Sequence, residues 1–121
     1  LEIITKGGVL IQVGRNHRQN EFISLKKAKK GDIWLHAQES PGSHVILKAS
    51  AKNFSEEDLQ AAANLAAFFS RAKGNKLVAV LAAPAERLQR VKGAAPGTVK
   101  HRDSKVIWGN PNSALQHIKT E

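Results

Sequence analysis

Short apolar stretches, several of which alternate with polar residues, occur at four places along the chain. Such stretches are typical of β-strands. They cover residues 9–13, 32–37, 45–48 and 76–83. Gly14 follows the first stretch and Pro84 the last, and these residue types commonly end strands. The pattern therefore predicts four strands.

Residues 55–73 carry the period of an α-helix. Ser55 is a favourable N-cap, Asp58 stands in the capping-box position, and Gly74 is a favourable stop. Because much of the apolar stripe is alanine, we expect this helix to pack closely on a sheet. The stripe consists of Leu59, Ala62, Ala63, Ala66 and Phe69, widened by Leu65 and Phe68.

Two further regions have weaker patterns. Apolar residues at three-residue spacing predict a short helix or helical turn within residues 21–30, which Gly31 would end. Later in the chain, residues 88–92, 98–102 and 105–108 predict antiparallel strands. Pro96-Gly97 fits a type II turn, since proline presets φ and glycine accepts a positive φ.

The order of strands, one long helix and then mostly strands favours an α+β fold. We expect a largely antiparallel sheet with the helix of residues 55–73 on one face, and the opposite face available for binding if nothing covers it. A chain of 121 residues fits a single domain with its own core. We expect an ordered core over about residues 6–110 and a tail or linker over 111–121.

The composition excludes several classes of protein. There is no cysteine, so disulfides, zinc-thiolate sites and cysteine nucleophiles are excluded, and this suits the cytoplasm. No stretch approaches the roughly 18 apolar residues of a membrane span, so we expect no membrane contact. Leu1 in place of methionine favours a piece excised from a longer chain, which we expect to be a monomer when isolated.

The chain is strongly basic, since 19 lysines and arginines against 10 acidic residues give a net charge of +9. Three of the acids stand at the predicted helix N-terminus, where they interact favourably with the helix dipole. The remaining surface is more basic still, which predicts attraction to the phosphates of a nucleic acid. A solubilising surface or an acidic protein partner would fit the same charge.

Arginines and side-chain amides crowd the segment between the first strand and the helical turn. We expect Arg15, with Arg18 beside it, to contact phosphate and ribose. The amides of Asn16, Gln19 and Asn20 could read base edges or 2′-hydroxyls. Asn16 and Asn20 could equally stabilise the turn, because asparagine hydrogen-bonds its own backbone.

Trp34 and His36 are two apart on a predicted strand, so they face the same side, opposite Ile33 and Leu35. If Ile33 and Leu35 face the core, the two rings lie on the outer face and can stack on a base or sugar. Trp34 could equally pack inward with its indole N–H hydrogen-bonded. Strand parity leaves both alternatives open.

Residues 41–44 form a turn between predicted strands. It could hold an anion through its N–H groups and the Ser43 hydroxyl, or serve only as a tight turn. Ser43 and His44 lack an orienting acid and a nucleophile elbow, so we expect no catalysis. The spacing of His36 and His44 matches no zinc site, and we expect neither a metal ion nor a cofactor.

Two groups of basic residues stand out, namely Lys26, Lys27, Lys29 and Lys30 in the first and Lys92, Lys100, His101, Arg102 and Lys105 in the second. Such runs are commonly solvated surface, but together they could outline a phosphate-binding track. Because few aromatic residues are available, we expect backbone and shape recognition to outweigh base readout. The candidate RNA contacts are Arg15, Asn16, Arg18, Gln19, Asn20, Lys26, Lys29, Trp34, His36, Ser43, His44, Lys92 and Lys100.

The order of these motifs resembles the NFACT-R domain, the RNA-binding module of the NFACT family. The resemblance runs from about Lys6 to Trp108 and rests on residues 8–16, 19–21, 32–37, 41–46 and 93–99. Glu21 stands where aspartate is expected as often. In longer members, an NFACT-N region, a helix-hairpin-helix and a coiled coil accompany this domain, and they would be its neighbours in a longer chain.

The resemblance implies binding to tRNA and to large ribosomal subunits that are obstructed by a nascent chain. We therefore expect an RNA-binding module in the quality control of stalled ribosomes, or a standalone RNA-binding protein, and not an enzyme. One alternative is a protein-interaction module that docks a neighbouring domain or a ribosomal protein and loses its partner on Trp34→Ala. Another is an enzyme whose turnover depends on His36 or His44.

Overall fold

The computed structural model describes residues 1–119 and shows an α+β fold, as the sequence predicts. Its strands are β1 (Glu2–Ile4), β2 (Leu10–Val13), β3 (Ile33–Ala37), β4 (Val45–Leu47), β5 (Val78–Pro84), β6 (Gln89–Arg90), β7 (Val99–Lys100) and β8 (Lys105–Gly109). Six of them form one sheet in the order β1-β2-β4-β3-β5-β8, and every neighbouring pair is antiparallel. β6 and β7 form a separate antiparallel hairpin.

Helices occupy both faces of this sheet. Helix α1 (His17–Glu21) continues directly as a π-helical segment (Phe22–Lys27), and helix α2 (Glu56–Phe68) is the longest. Short 3₁₀ turns cover Arg71–Gly74, Ala85–Arg87 and Pro111–Ser113. Among residues 1–119, no helix has both the length and the apolar character that crossing a membrane requires.

Helix α2 begins as predicted and ends earlier than predicted. Ser55 Oγ accepts a hydrogen bond from Asp58 N at 3.2 Å, and Asp58 Oδ2 accepts one from Ser55 N at 2.8 Å, which completes the capping box. The helix ends at Phe68 rather than at residue 73, because Ser70 adopts extended backbone and pairs with Gly42 of the β3–β4 loop. A tertiary contact therefore ends the helix before the predicted Gly74 stop.

The main core lies between α2 and one face of the sheet, where Ala62, Ala63 and Ala66 pack on Leu35 and neighbouring strand residues. At Gly109 in β8, an added Cβ would lie 2.5 Å from the carbonyl oxygen of Ala63. Helix and strand thus approach too closely for a larger residue, in agreement with the predicted close packing of the alanine stripe.

The opposite face of the sheet is covered over its centre. The π-helical segment and the β6-β7 hairpin lie against it and enclose a second, smaller core. This covering removes the sheet centre as a free binding face, although Val106 and Trp108 on β8 stay exposed, Trp108 by 59%. The second core consists of Ile23, Trp34, Ile46 and Ala83, flanked by Ala28, Leu81, Leu88 and Val99.

Both ends of the described chain pack on this fold. Residues 2–4 form β1, and Ala114 and Ile118 are buried against the main core. Ile118 forms a bridge with Thr5, and Lys119 N donates to Ile4 O at 2.7 Å. The sequence predicted an ordered core of about 6–110 and a tail or linker over 111–121; here residues 111–119 are packed, and residues 120 and 121 lie outside the described residues.

Candidate nucleic-acid interface

The turn after β2 and the loop before β4 are joined through one buried asparagine. Asn20 Oδ1 accepts a hydrogen bond from His44 N at 3.0 Å, and Asn20 Nδ2 donates to Gly42 O at 3.5 Å. A Cβ at Gly14 would overlap the Asn20 side chain, so this close approach requires glycine. The polar groups of Asn20 are therefore occupied by the protein backbone.

Asn16 and Gln19 hold the beginning of α1. Asn16 Oδ1 accepts from Gln19 N at 2.9 Å as the N-cap, and Gln19 Oε1 accepts from Arg15 N at 2.8 Å. Because of this cap, the helical segment begins at His17 and not near the predicted residue 21. All three amides of this segment thus stabilise the strand-to-helix turn, which is the alternative that the sequence offered for Asn16 and Asn20 and which extends to Gln19.

Trp34 belongs to the second core and is only 2% exposed, so its ring is not presented to a ligand. Its Nε1 donates to His44 Nδ1 at 3.1 Å, which is the inward alternative. His36, which is half-buried, and His101 stack against it with ring centroids 5.9 Å and 5.3 Å away. Trp34→Ala would therefore report on folding rather than on a partner.

His44 is the polar centre of this second core. Its Nδ1 lies 2.8 Å from Ser24 Oγ as well as accepting from Trp34, so Nδ1 carries no proton. Burial lowers the pKa of His44 to about 3, with His36 and His17 contributing in the same direction. Burial also lowers the pKa of His36. A neutral, fully enclosed His44 stabilises the fold and is not presented to a ligand.

Two N–H groups in the turn of residues 41–44 donate hydrogen bonds to other parts of the protein. Ser43 N donates to Phe69 O at 3.0 Å, and His44 N is occupied by Asn20. An added Cβ at Gly42 would lie 2.9 Å from Ser70 Cβ, so this loop packs tightly on the end of α2. These two amides do not form the suggested anion cradle, although Ser43 lines a neighbouring cleft.

That cleft lies between the beginning of α1, the loop of residues 41–43 and the turn after α2, and has a volume of about 760 Å³. Arg15, Arg71 and Lys73 line it and give it positive charge. Within residues 1–119, all the ion pairs involve other basic residues, and none of these three side chains forms an ion pair with a carboxylate. Three cations without acidic partners at one cleft suit an anionic ligand.

Two aromatic rings lie beside these cations. The Arg15 Cζ atom lies 4.9 Å from the centroid of Phe69, and the Lys73 Nζ atom lies 5.5 Å from the centroid of Phe68. The two rings meet edge to face at 5.1 Å. Because ring faces rather than acids position Arg15 and Lys73, the N–H groups of both remain available for phosphate.

The other predicted basic contacts are exposed but lie outside this cleft. Arg18 and Lys26 lie near Pro96 of the hairpin turn. Lys29 follows the π-helical segment, and Lys92 and Lys100 belong to the hairpin region. The structure therefore separates the predicted basic residues into the cleft, where only Arg15 lies, and the surface of α1 and the hairpin.

Glu21 attaches the hairpin to α1. Its Oε2 accepts from Gly97 N at 3.1 Å, and its Oε1 pairs with Arg90. The hydrogen bonds from Arg90 and Gly97 lower the pKa of Glu21. Gly97 has φ +87° in a turn closed by a 3.2 Å hydrogen bond from Thr98 N to Ala95 O, which fits the predicted type II turn.

Sequence reasoning missed Arg71, Lys73 and Phe68 as cleft residues, because it placed them within the long helix. The Phe68-Phe69 pair followed by Arg71 and Lys73 is the signal that was available, since this segment joins exposed aromatic and basic residues. Among residues 1–119, no three His, Asp or Glu side chains converge on a position that could hold a metal ion.

The chain is similar to a known protein family and to several of its members. The description "NFACT protein RNA binding domain" matches residues 2–103. The Rqc2 homolog RqcH of Streptococcus suis is 39% identical over 90% of the chain, and the Rqc2 homolog RqcH of Bacillus subtilis is 36% identical over 88%. The chain spans 20% and 18% of the lengths of these two relatives.

The fold also matches a solved structure, that of the C-terminal part of the fibronectin/fibrinogen-binding protein from Streptococcus suis. The TM-score is 0.87 at 35% sequence identity, and the match covers 98% of this chain and 48% of the other. The six-stranded sheet and its covering elements therefore agree with those of a known structure over nearly their whole extent.

Proposed function

Since the chain belongs to the family of NFACT protein RNA binding domains, we propose that it binds RNA through the cleft of Arg15, Arg71 and Lys73. The observation that carries this proposal is the grouping of these three cations, none of them paired with an acid within residues 1–119. Phosphate contacts from Arg and Lys supply most of the sequence-independent affinity of nucleic-acid-binding proteins.

The exposed residues Arg18, Lys26 and Lys29 extend the positive surface along α1 and the π-helical segment, and Lys92 and Lys100 extend it over the hairpin. An RNA seated in the cleft would be steered by this surface, whose charge attracts phosphates from a distance. The cleft would then set the position of the RNA, and the outer lysines would set the rate of association.

The RNA we propose is tRNA, ribosomal RNA of the large subunit, or both, in the quality control of stalled ribosomes. The relatives named Rqc2 homolog RqcH support this assignment at 35–39% identity. Because these relatives are about five times longer than the matched region, the chain would supply RNA affinity, and other regions of such proteins would supply the remaining activity.

We also propose that the chain acts by binding and not by catalysis. Ser24 and His44 form a close serine-histidine pair, but both members are more than 90% buried, and Trp34 N–H occupies the same His44 nitrogen. A substrate could reach that pair only if the second core opened.

A binding titration of tRNA against the folded chain at several salt concentrations tests the RNA proposal. The double variant Arg71→Gln/Lys73→Gln should bind tRNA at least tenfold more weakly, and the slope of log K against log salt should fall by about two, one for each lost phosphate contact. The same titration with large ribosomal subunits shows which RNA is preferred.

The matched control is Lys52→Gln/Arg87→Gln, which removes the same charge from exposed positions outside the cleft. It should retain nearly all of the affinity. Equal losses in both double variants would show that RNA responds only to net charge, and binding that is absent or insensitive to salt would refute RNA binding through this cleft.

A second candidate function, docking of a neighbouring domain or a ribosomal protein, is favoured by the exposed Val106 and Trp108 on the edge strand β8. Exposed aromatic residues of this kind are common centres of protein interfaces. Under this alternative, Trp108→Ala would weaken a protein complex while the affinity for RNA stayed unchanged.

A further inference from the structure

The basic cleft adjoins an apolar groove, and Phe68 and Phe69 line both cavities. The groove has a volume of about 610 Å³ and runs between α2 and the packed C-terminal segment. Leu65 and Ile118 form its base, and Leu115 stands at its rim with 72% of its surface exposed. Two neighbouring cavities, one bordered by cations and the other by apolar and neutral polar side chains, thus share Phe68.

Phe68 is itself 40% exposed although it follows a run of buried helix residues. Because α2 ends there and Ser70 pairs with Gly42, the Phe68 ring lies at the edge of the main core and not inside it. One of its neighbours is the Lys73 ammonium on the side of the cleft. The Phe68 ring therefore lies between the basic cleft and the apolar groove.

The polar residues that line the groove are Asn112, Ser113 and Gln116. Asn112 and Gln116 are exposed there, and each carries a side-chain donor and acceptor beside the apolar wall. An aromatic wall with amides at its rim is the environment in which proteins hold a single base, through stacking and hydrogen bonds to its edge.

We propose that the cleft and the groove together hold one unpaired nucleotide of RNA. Its base enters the groove beside Phe68 and Leu115, and its flanking phosphates lie on Arg15, Arg71 and Lys73. This inference rests on the proposed RNA-binding function and specifies the class of RNA, namely a loop, bulge or single strand rather than a continuous duplex.

Charge complementarity selects a nucleotide over an apolar protein segment as the occupant. A peptide that filled the groove would lie beside three cations at the shared boundary, whereas a nucleotide brings its phosphates to them. A base inside a duplex is stacked on both sides and cannot enter, so only an unpaired nucleotide uses both cavities.

The test compares two blunt-ended RNA duplexes of the same sequence, one continuous and one with a bulged nucleotide, in binding titrations at one salt concentration. The chain should bind the bulged duplex about tenfold more tightly. Phe68→Ala and Leu115→Asn should each remove most of this preference, since loss of a stacked base costs about that factor, and Leu115→Asn should leave the affinity for the continuous duplex unchanged.

Phe54→Ala is the matched control, because Phe54 has 41% exposure but lies in a pocket where the acidic residues Glu56, Glu86 and Asp103 outnumber the basic Lys105. It should keep the preference. If Phe68→Ala reduces folding, as thermal unfolding would show, Leu115→Asn still tests the groove, because an exposed side chain can be replaced without disturbing the fold.

Equal affinity for both duplexes, or a preference that survives in both groove variants, would overturn the unpaired-nucleotide site while leaving RNA binding by the cleft intact. A protein segment would then be the better candidate to fill the groove. Failure to bind either duplex would overturn the RNA-binding proposal as well, so the two failures are distinguishable.

Discussion

The two faces of the sheet are stabilised in different ways. On the α2 face, small apolar side chains allow the helix to approach β8 so closely that Gly109 has no room for a Cβ. On the opposite face, Trp34 is buried together with the polar groups of His44 and Ser24, which hydrogen-bond to one another. One core is held mainly by apolar packing, and the other also depends on a satisfied polar network.

This difference explains why side chains typical of recognition turned out to be structural. Asn20 and His44 have the chemistry of ligand contacts, but they connect elements of the second core. The cleft proposed for RNA lies where the two regions meet, since the loop of residues 41–44 attaches the second core to the end of α2. The shape of this cleft therefore depends on both regions remaining docked.

The largest effect is expected from removing the centre of the second core. Trp34→Ala should lower the free energy of unfolding by about 4 kcal/mol, because a large buried ring is lost and His44 loses a donor. Leu35→Ala, the next residue of β3 but on the α2 face, should cost about 3 kcal/mol by packing alone. Urea denaturation measures both, and a cost below about 1 kcal/mol for Trp34→Ala would show that the second face is not a true core.

Asparagines buried at the edge of each core offer a matched comparison. Asn20→Ala should cost about 2–3 kcal/mol, because His44 N and Gly42 O lose their partner, and it should also weaken RNA binding by loosening the loop that forms the cleft. Asn64→Ala, which removes the bonds from Gln60 and Asn110 and the bond to Ser113 O, should cost a similar amount and leave the affinity for a continuous RNA duplex unchanged.

Denaturation and RNA titration of these two variants together separate stability from cleft geometry. If both variants lose RNA binding equally, the loop of residues 41–44 has no special role in placing the ligand.

Acid should weaken the second core before the first. The pKa of His44 is about 3 in the folded chain and near 6.5 when unfolded, so the unfolded state takes up the proton first as the pH falls. The contribution of neutral His44 to the free energy of unfolding is complete above about pH 6.5 and is lost progressively as the pH falls toward 3. Between pH 6.5 and pH 5 the titration of His44 should lower the free energy of unfolding by about 2 kcal/mol. The lowered pKa of His36 acts in the same direction.

The buried carboxylate of Asp32 does not titrate in the folded chain between pH 7 and pH 5. Burial raises the pKa of Asp32, but the hydrogen bonds from Lys48, Ser50 and Lys29 outweigh it, so the pKa of Asp32 falls below its usual value. Urea denaturation at pH 7 and pH 5 measures the effect, and a flat stability across that interval would contradict a neutral, buried His44.

The smallest effect is expected at the attachment of the hairpin. Glu21→Gln removes the ion pair with Arg90 and weakens the acceptor for Gly97 N, but Glu21 lies at the surface. The hairpin of β6 and β7 should exchange its amide protons faster, while the midpoint of urea denaturation changes little. Unchanged exchange in residues 89–100 would show that apolar contacts alone hold the hairpin.

Much of the fold could be predicted because its signals are local. The Ser55 and Asp58 capping box, the alanine stripe and the Pro96-Gly97 turn each depend on residues a few positions apart. The strand pattern predicted β2, β3, β4 and β5 to within about two residues for the same reason. The motif order also predicted the family, which the match over residues 2–103 confirms.

The candidate site was predicted only in part. Arg15 was identified from its neighbours, but Arg71 and Lys73 reach the cleft only because Ser70 pairs with Gly42, 28 positions earlier in the chain. The side chain of Trp34 could point either way until the π-helical segment and the hairpin were seen to cover that face.

The sequence by itself therefore determined the elements, the positive charge and the family, because periodicity, capping and composition act over short distances. Only the tertiary structure decided which polar residues are enclosed by the protein and which line an open cleft, because burial and hydrogen-bond partners come from elements far apart in sequence. Asn20 and Arg15 stand five residues apart in one motif, yet one is enclosed by the loop of residues 41–44 and the other lines the open cleft.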